Sequence, residues 1–224
     1  MEPMNAPKGE PAIAEVRAID GRTPGRRGRA TREKLLTCTA DLLEKGSYRD
    51  LTVIDIARCA GTSPATFYQY FADVEGAILI LAEQMTENGK GLTALIHDSD
   101  WRGRGGFESA LLLVDEFLGF WERHRAILRV VDLATAEGDL RFQNIRTHLL
   151  NEVTLGLRGV IDDVTGAKRS RVEPMAQAAT LVSMLAHVAQ HRYGFEFWGI
   201  RTEDVRNSLA RILYSGLTGK RPPE

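Results

Sequence analysis

Residues 51–75 constrain the fold more than any other part of the chain, because two short helical patterns flank a glycine-containing turn there. Thr52 is placed to cap the first helix, and Gly61 stands where a helix end favours the left-handed conformation. Ser63 followed by Pro64 is a typical start for the second helix. The pattern predicts a helix-turn-helix, a unit whose second helix enters the major groove of DNA.

The second of these helices carries polar groups suited to contact with a nucleic acid. Hydroxyls and an amide follow one another at Thr66, Tyr68, Gln69 and Tyr70. Hydroxyls bond phosphate oxygens, and a glutamine can read a base edge. Phe67 and Phe71 recur at helical spacing, so they can anchor the helix to its own domain. The alternative is an ordinary amphipathic core helix.

Further residues around this unit carry a resemblance to a known family. A predicted first helix ends at Gly46, an aromatic Tyr48 follows, and the run TFYQYF closes the pattern at Phe71. The segment from Thr31 to Leu81 resembles the DNA-binding domain of the TetR family of bacterial transcriptional regulators. The candidate DNA-binding residues are then Arg26, Arg27, Arg29, Thr52, Thr62, Ser63, Thr66, Tyr68, Gln69 and Tyr70.

One position departs from the pattern of that family. The family usually has a lysine shortly after the recognition helix, where it touches a phosphate, and this chain has Val74 there. The phosphate contact is therefore missing or supplied by another residue.

Charge is unevenly distributed near the predicted helix-turn-helix. Residues 21–34 contain six basic residues and one acidic residue, a net charge of +5, whereas residues 35–75 carry a net charge of −3. We predict that residues 1–30 form a disordered arm, basic from Arg22, whose arginines reach the minor groove or the DNA backbone. A solvated tail with no DNA contact is the alternative.

Composition narrows the class of protein. No apolar run approaches the length of a membrane span and the first residues are polar, so we expect a cytoplasmic protein without a membrane partner. The two cysteines, Cys38 and Cys59, are predicted to be a buried reduced pair, with a redox switch as the alternative.

The remainder of the chain predicts helices only, so the expected fold is all-α, with residues 31–75 as a three-helix DNA-binding domain and residues 76–224 as a larger effector-binding and dimerisation domain. Its helical patterns cover residues 73–96, 107–123, 124–137, 140–164, 172–197 and 202–217, with a surface loop at 98–106.

The resemblance implies two properties of this larger domain. The last two helices pair with their copies in a homodimer, which matches a palindromic operator, and the middle helices enclose an effector cavity. Its plausible walls are Leu113, Phe117, Phe120, Trp121, Phe142 and Met184, with Met175 a further candidate. This lining favours an apolar ligand. The alternative is an acyl-CoA, with Arg125, Arg129 or Arg146 binding its phosphates.

No arrangement of residues predicts catalysis, a cofactor or a metal site. His187 and His191 share a helical face, but no third ligand accompanies them. The chain is therefore interpreted as a ligand-responsive DNA-binding regulator, not an enzyme, and most simply as a repressor released from its operator by an apolar small molecule. The alternatives are an activator, an effector-independent DNA-binding protein, and a helical small-molecule carrier.

Overall fold

The computed structural model describes residues 25–166 and 173–223, and within them the secondary structure is helical with no strand. The expected all-α fold, an N-terminal helix-turn-helix followed by a larger helical domain, is confirmed. The chain divides into two compact units between Ile78 and Leu79, inside the fourth α-helix and slightly beyond the predicted boundary at residue 75. No helix in the described ranges is long and apolar enough to span a membrane.

The first unit is built on one long helix and two short ones. Its elements are α1 (Arg26–Lys45), a 3₁₀ turn (Tyr48–Asp50), α2 (Val53–Cys59), α3 (Pro64–Tyr68) and the start of α4 (Val74–Asn88). Helices α1, α2 and α3 all contribute fully buried side chains, among them Leu35, Leu43, Ile56, Ala57 and Phe67. The two short helices therefore owe their position to packing on α1 and on each other rather than to their own length.

The predicted disordered arm is shorter than expected at its C-terminal end. Residues 26–30 belong to the first turns of α1, in which the Arg29 N–H donates to the Gly25 carbonyl at 2.9 Å. Arginine and alanine are good helix formers, and the extended Gly25 leaves the helix free to begin there. Residues 1–24 of the predicted arm lie outside the described residues.

The expectation of a reduced, buried cysteine pair is wrong for this structure, in which the two cysteines are bonded. A disulfide joins Cys38 of α1 to Cys59, the last residue of α2, with the two Cα atoms 5.8 Å apart. Cys38 is buried and Cys59 is exposed. The packing of α2 on α1 brings together two residues separated by 21 positions, and neither helical pattern alone contained that pairing.

The second unit contains the rest of α4 and seven further helices of the described chain. They are α5 (Lys90–Asp98), α6 (Gly103–Arg123), α7 (Arg125–Ala136), α8 (Leu140–Thr165), α9 (Pro174–Gln190), α10 (Arg192–Phe197) and α11 (Thr202–Thr218). Their buried side chains form a large apolar core, to which α6, α8, α9 and α11 contribute most. Helix α6 packs against α5, α7, α9 and α11, while Leu112, Asp115 and Glu116 on its other side are exposed.

The single helix predicted over residues 73–96 is two helices, α4 and α5, which meet at Gly89. A Cβ atom at Gly89 would lie 2.8 Å from Leu149 Cδ1 and 3.8 Å from Phe120 Cε2. A periodicity of apolar residues cannot show such a close approach, because the constraint comes from α6 and α8.

Two other boundaries also differ from the prediction. The loop expected at 98–106 is short, because α6 begins at Gly103 and Trp101 is buried with its Nε1–H donating to the Ile96 carbonyl at 2.8 Å. The helix expected over 172–197 breaks at His191 into α9 and α10.

Glycine substitutions test the packing at the start of α6. A Cβ at Gly106 would overlap the backbone carbonyl of Trp101, whereas Gly159, exposed in the middle of α8, has no neighbour within 4 Å of an added Cβ. We expect Gly106→Ala to destabilise the protein by about 1–3 kcal/mol through overpacking. We expect the control, Gly159→Ala, to stabilise it by about 0.5–1 kcal/mol. Urea unfolding measures both; equal effects would contradict this account of Gly106.

Candidate functional site

The turn between α2 and α3 is determined by local hydrogen bonds. Thr52 caps α2, since its Oγ1 accepts from the Asp55 N–H at 3.2 Å. At the other end, Gly61 has a φ of 64°, and the N–H of Thr62 donates to the Ala57 carbonyl at 2.9 Å. The Thr62 bond to Ala57 and that of the Gly61 N–H to the Arg58 carbonyl satisfy carbonyls at the end of α2, where the chain turns towards α3 as it does after a glycine-terminated helix.

Ser63 begins α3 as the sequence predicted. Its Oγ accepts from the Thr66 N–H at 3.2 Å and lies 3.0 Å from Thr66 Oγ1, and Pro64 occupies the first helical position. The helix is shorter than predicted, ending at Tyr68, so Gln69 and Tyr70 lie in the turn that follows it.

Aromatic packing separates a buried side of this segment from an exposed one. Phe67 is fully buried and Phe71 nearly so, with their ring centroids 5.2 Å apart. Tyr68, in contrast, is 52% exposed, and Gln69 is also exposed. A hydroxyl and an amide are therefore presented to solvent by a backbone that the neighbouring phenylalanines hold in place.

The other candidate DNA-binding residues of α2 and α3 have different surroundings. Thr66 and Tyr70 are half-buried, while Thr52 and Ser63 are exposed but use their oxygens in helix caps. The Thr62 Oγ1 atom is buried and has no hydrogen-bond partner among the described residues. Its backbone, rather than its hydroxyl, is what the turn uses.

Basic side chains cluster at the start of α1. Arg26, Arg27 and Arg29 are all exposed there. Arg32, which the sequence analysis counted only as a charge, places its guanidinium 5.4 Å from the centroid of the Phe71 ring. This cation–π contact ties the basic part of α1 to the residues after α3; a contact across the fold leaves no signal in local sequence.

The start of α4 shows what replaces the family's usual lysine. Val74 is half-buried and apolar. Asp73 accepts the Gly76 N–H at 2.6 Å, and Glu75 accepts the Tyr48 hydroxyl at 2.7 Å. Two carboxylates thus occupy this helix end, where a phosphate would otherwise find free amides.

The predicted effector-binding residues lie in the second unit. Leu113, Phe117, Phe120, Trp121 and Phe142 are buried, and Met184 is half-buried against the core. The Phe117 and Trp121 rings stack with centroids 5.2 Å apart. Beside them, His124 packs on Phe120 with centroids 4.6 Å apart, and burial together with nearby Arg123 lowers the pKa of its imidazole.

None of the six predicted walls lines the small groove at α10. That groove is formed by Leu118, Arg192, Phe195, Glu196, Ile200, Thr202 and Val205. The groove is therefore separate from the aromatic effector cavity that the sequence predicted.

Two of the arginines considered for phosphate binding face carboxylates. Arg146 Nε donates to Asp132 Oδ1 at 2.6 Å, and Gln190 Nε2 donates to Asp132 Oδ2 at 2.7 Å. Arg125 lies 3.7 Å from Glu122. The Asp132 contacts connect α7, α8 and α9, so an anionic ligand would have to exchange places with this carboxylate to bind Arg146.

The exposed faces of α9 to α11 carry small and aromatic residues. Ala176, Ala179 and Ser183 of α9 are exposed, and Ile212 of α11 is 50% exposed, whereas Ala186, Leu209, Leu213 and Leu217 are buried within the chain's own core. The segment around α10 adds Tyr193, Phe197 and Trp198, which are 69%, 86% and 69% exposed.

His187 and His191 stack with their ring centroids 4.2 Å apart, and the His191 ring is 6.0 Å from that of Tyr193. In the described ranges, no group of three or more His, Cys, Asp or Glu side chains is arranged to hold a metal ion.

Comparisons with family models cover both units. Residues 35–76 match the model described as bacterial regulatory proteins, tetR family, and residues 92–224 match the model described as tetracyclin repressor-like, C-terminal domain. No curated protein sequence shows a significant match to the chain.

Solved structures share the fold at low sequence identity. The fatty acid degradation regulator FadR from Bacillus halodurans is 15% identical with a TM-score of 0.62, covering 88% of this chain and 97% of that one. FadR from Bacillus subtilis in complex with stearoyl-CoA is 16% identical, with a TM-score of 0.62 and coverages of 82% and 98%. The repressor FadR from Thermus thermophilus in complex with lauroyl-CoA is 19% identical, with a TM-score of 0.55 and coverages of 86% and 96%.

Proposed function

Since the chain belongs to the TetR family of bacterial transcriptional regulators, we propose that it is a homodimeric repressor that a small molecule with an apolar part releases from a palindromic operator. The observation that carries this proposal is the presentation of Tyr68 and Gln69 on a helix-turn-helix whose caps and buried phenylalanines are in place. The chain's family and the repressor from Thermus thermophilus among its structural neighbours support repression over activation.

The DNA contacts divide into two kinds. Tyr68 at the end of α3 and Gln69 in the turn after it are exposed while Phe67 is buried, as required of groups that reach phosphates and base edges. Arg26, Arg27 and Arg29 provide the positive charge that residues 35–75 lack. The arginines then supply attraction that is independent of sequence, and α3 supplies selectivity.

Substitutions on α3 test the interface. We expect Tyr68→Phe to weaken binding to a palindromic site selected from random DNA by about 1–2 kcal/mol, because one phosphate hydrogen bond is lost. Gln69→Ala should instead change the preferred sequence in a repeated selection. Thr147→Val, which removes an exposed hydroxyl of α8 outside the first unit, is the control for band-shift titration. Equal affinity of Tyr68→Phe and wild type, with unchanged circular dichroism, would remove Tyr68 from the interface.

The arginines of α1 make a separate prediction about salt. Arg26→Ala combined with Arg27→Ala should make the slope of log affinity against log salt shallower by roughly 0.9 for each phosphate contact removed. An unchanged slope would show that these side chains are solvated. A wild-type protein that binds no DNA but binds acyl ligands would instead support the carrier interpretation.

A second copy of the chain would cover the exposed faces of α9 and α11. The exposed small side chains of Ala176, Ala179 and Ser183 on α9 allow close helix packing, and Ile212 of α11 is an exposed larger apolar group. We assign the exposed side chains of Tyr193, Phe197 and Trp198 to the same interface, since an aromatic side chain buries about 150–250 Å². A stable interface needs about 800 Å² from each partner, so these three side chains would supply a large share.

Removal of one aromatic side chain tests this interface. We expect Trp198→Ala to weaken dimerisation by about 2 kcal/mol, roughly 30-fold in dissociation constant, as measured by sedimentation equilibrium. Leu140→Ala removes another exposed apolar side chain, 69% accessible at the start of α8, and should leave dimerisation unchanged. Equal effects of the two substitutions would place the α10 segment outside the interface.

Acyl-CoA is the effector class that we propose. The structures of the Bacillus subtilis and Thermus thermophilus regulators contain stearoyl-CoA and lauroyl-CoA. In this chain the apolar α6 side chains, Phe117 and Trp121 among them, suit an acyl chain. Arg146, which is hydrogen-bonded to Asp132, is the arginine that we propose for the CoA phosphates, provided that the ligand displaces the Asp132 carboxylate.

Ligand binding can be tested without knowledge of the operator. Stearoyl-CoA and lauroyl-CoA should raise the melting temperature of the native protein, because a ligand that binds only the folded state stabilises it. Phe117→Leu should reduce this shift while DNA binding without ligand is retained. By linkage, operator DNA must then lower acyl-CoA affinity by the factor by which acyl-CoA lowers operator affinity. An acyl-CoA affinity that is the same with and without operator DNA would contradict the repressor model.

A further inference from the structure

We propose that Cys38 and Cys59 form a reversible disulfide, a thiol-oxidation site within the helix-turn-helix unit, and that Cys59 is the residue at which small oxidants and thiols react. The pairing itself does not depend on the proposed function, whereas its reversibility and its consequence for operator binding rest on that function.

The pairing rests on the positions of the two residues in the fold. Cys38 lies on the buried side of α1, and Cys59 is the last residue of α2. The separation of 5.8 Å between their Cα atoms falls in the usual range for disulfides. No movement of the backbone is needed for the bond, because the packing of α2 on α1 already brings the side chains together.

Reversibility follows from the working environment of the unit. A protein that binds chromosomal DNA works where cellular thiols are kept reduced, so disulfides in such proteins are usually transient or redox-sensing. Both cysteines would then be thiols under ordinary conditions and become joined when an oxidant appears.

The two cysteines differ in access, which fixes their roles. Cys59 is exposed, whereas Cys38 is only 6% exposed. A peroxide therefore reaches Cys59 first: its thiolate attacks one peroxide oxygen, forming a sulfenic acid and releasing water after proton transfer. The Cys38 thiol then attacks the Cys59 sulfur and releases a second water.

The balance of this reaction is two thiols and one hydrogen peroxide giving one disulfide and two waters. The thiols supply two electrons to the peroxide. Reduction runs by exchange with a dithiol, whose first thiolate attacks the exposed Cys59 sulfur and displaces the Cys38 thiolate. The mixed disulfide is then resolved by the second thiol of the reductant.

The bond affects the part of the molecule that presents α3. Helix α2 has seven residues, and its buried contacts in the unit are made by few side chains, chiefly Ile56 and Ala57. A covalent link from its last residue to α1 restricts separation of the two helices and closes a chain segment between positions 21 apart. Oxidation should thus hold the helix-turn-helix folded to a higher temperature.

The test uses the full-length protein treated with hydrogen peroxide or with dithiothreitol. Peroxide should produce an intramolecular disulfide. Mass spectrometry should then show a single chain lighter by two hydrogens, and one pair of peptides linked through Cys38 and Cys59. Melting of the first unit should rise by about 5 °C or more in this form. Cross-linked chain pairs, or unlinked cysteines after peroxide treatment, would overturn the proposal, and this measurement needs no variant.

Variants test the assigned roles. Cys38→Ser should take up glutathione at Cys59 from glutathione disulfide, whereas Cys59→Ser should leave folded Cys38 unmodified and should lose the redox-dependent melting shift. Faster labelling of Cys38 than of Cys59 would overturn the order of reaction.

Operator binding provides the last test. Oxidised protein should bind the selected DNA to a higher temperature than reduced protein. For Cys59→Ser, this temperature should be the same after peroxide and after dithiothreitol. If neither form binds DNA but the linkage and melting shift appear, the oxidation site stands and the proposed function fails. If both forms bind with identical temperature dependence, the regulatory consequence is wrong.

Discussion

The burial of Phe67 is the interaction on which the presentation of α3 depends. A helix of five residues is far too short to be stable by itself, since isolated helices of fewer than about 12 residues are marginal in water. Phe67 is fully buried and packs on Phe71, so the helix takes its orientation from one side chain inside the unit. The Ser63 cap and the Gly61 turn fix the approach of the chain, and Tyr68 is exposed as a consequence of its neighbour's burial.

The second unit depends on a different constraint, because glycines stand at points where helices approach too closely for a side chain. At Gly89 an added Cβ would meet Leu149, and at Gly216 it would lie 2.9 Å from Leu181 Cδ2. The Gly216 carbonyl also accepts a hydrogen bond from Gln177 Nε2. Thus α9 and α11 are joined within the chain at one side, while the small residues Ala176, Ala179 and Ser183 remain exposed at another.

The fold could be predicted from the sequence because its signals are local. The caps at Thr52 and Ser63 and the glycine at 61 each act over a few residues, and the structure confirms them. The Cys38–Cys59 bond, the contact of Arg32 with Phe71 and the break at Gly89 arise from packing between distant segments. The sequence likewise identifies the aromatic residues of α6 as apolar. It does not predict whether they enclose a ligand, because that depends on how the helices pack around them.

The charges of the first unit have a kinetic consequence. Exposed arginines stand at the first turns of α1, while residues 35–75 carry a net charge of −3 and the start of α4 is acidic. A polyanion is therefore attracted more strongly to the start of α1 than to the rest of the first unit. Encounter with DNA would begin through α1 and would be oriented, so ionic strength acts mainly on the rate of association. The lifetime of the bound state would be determined instead by the short-range contacts of α3.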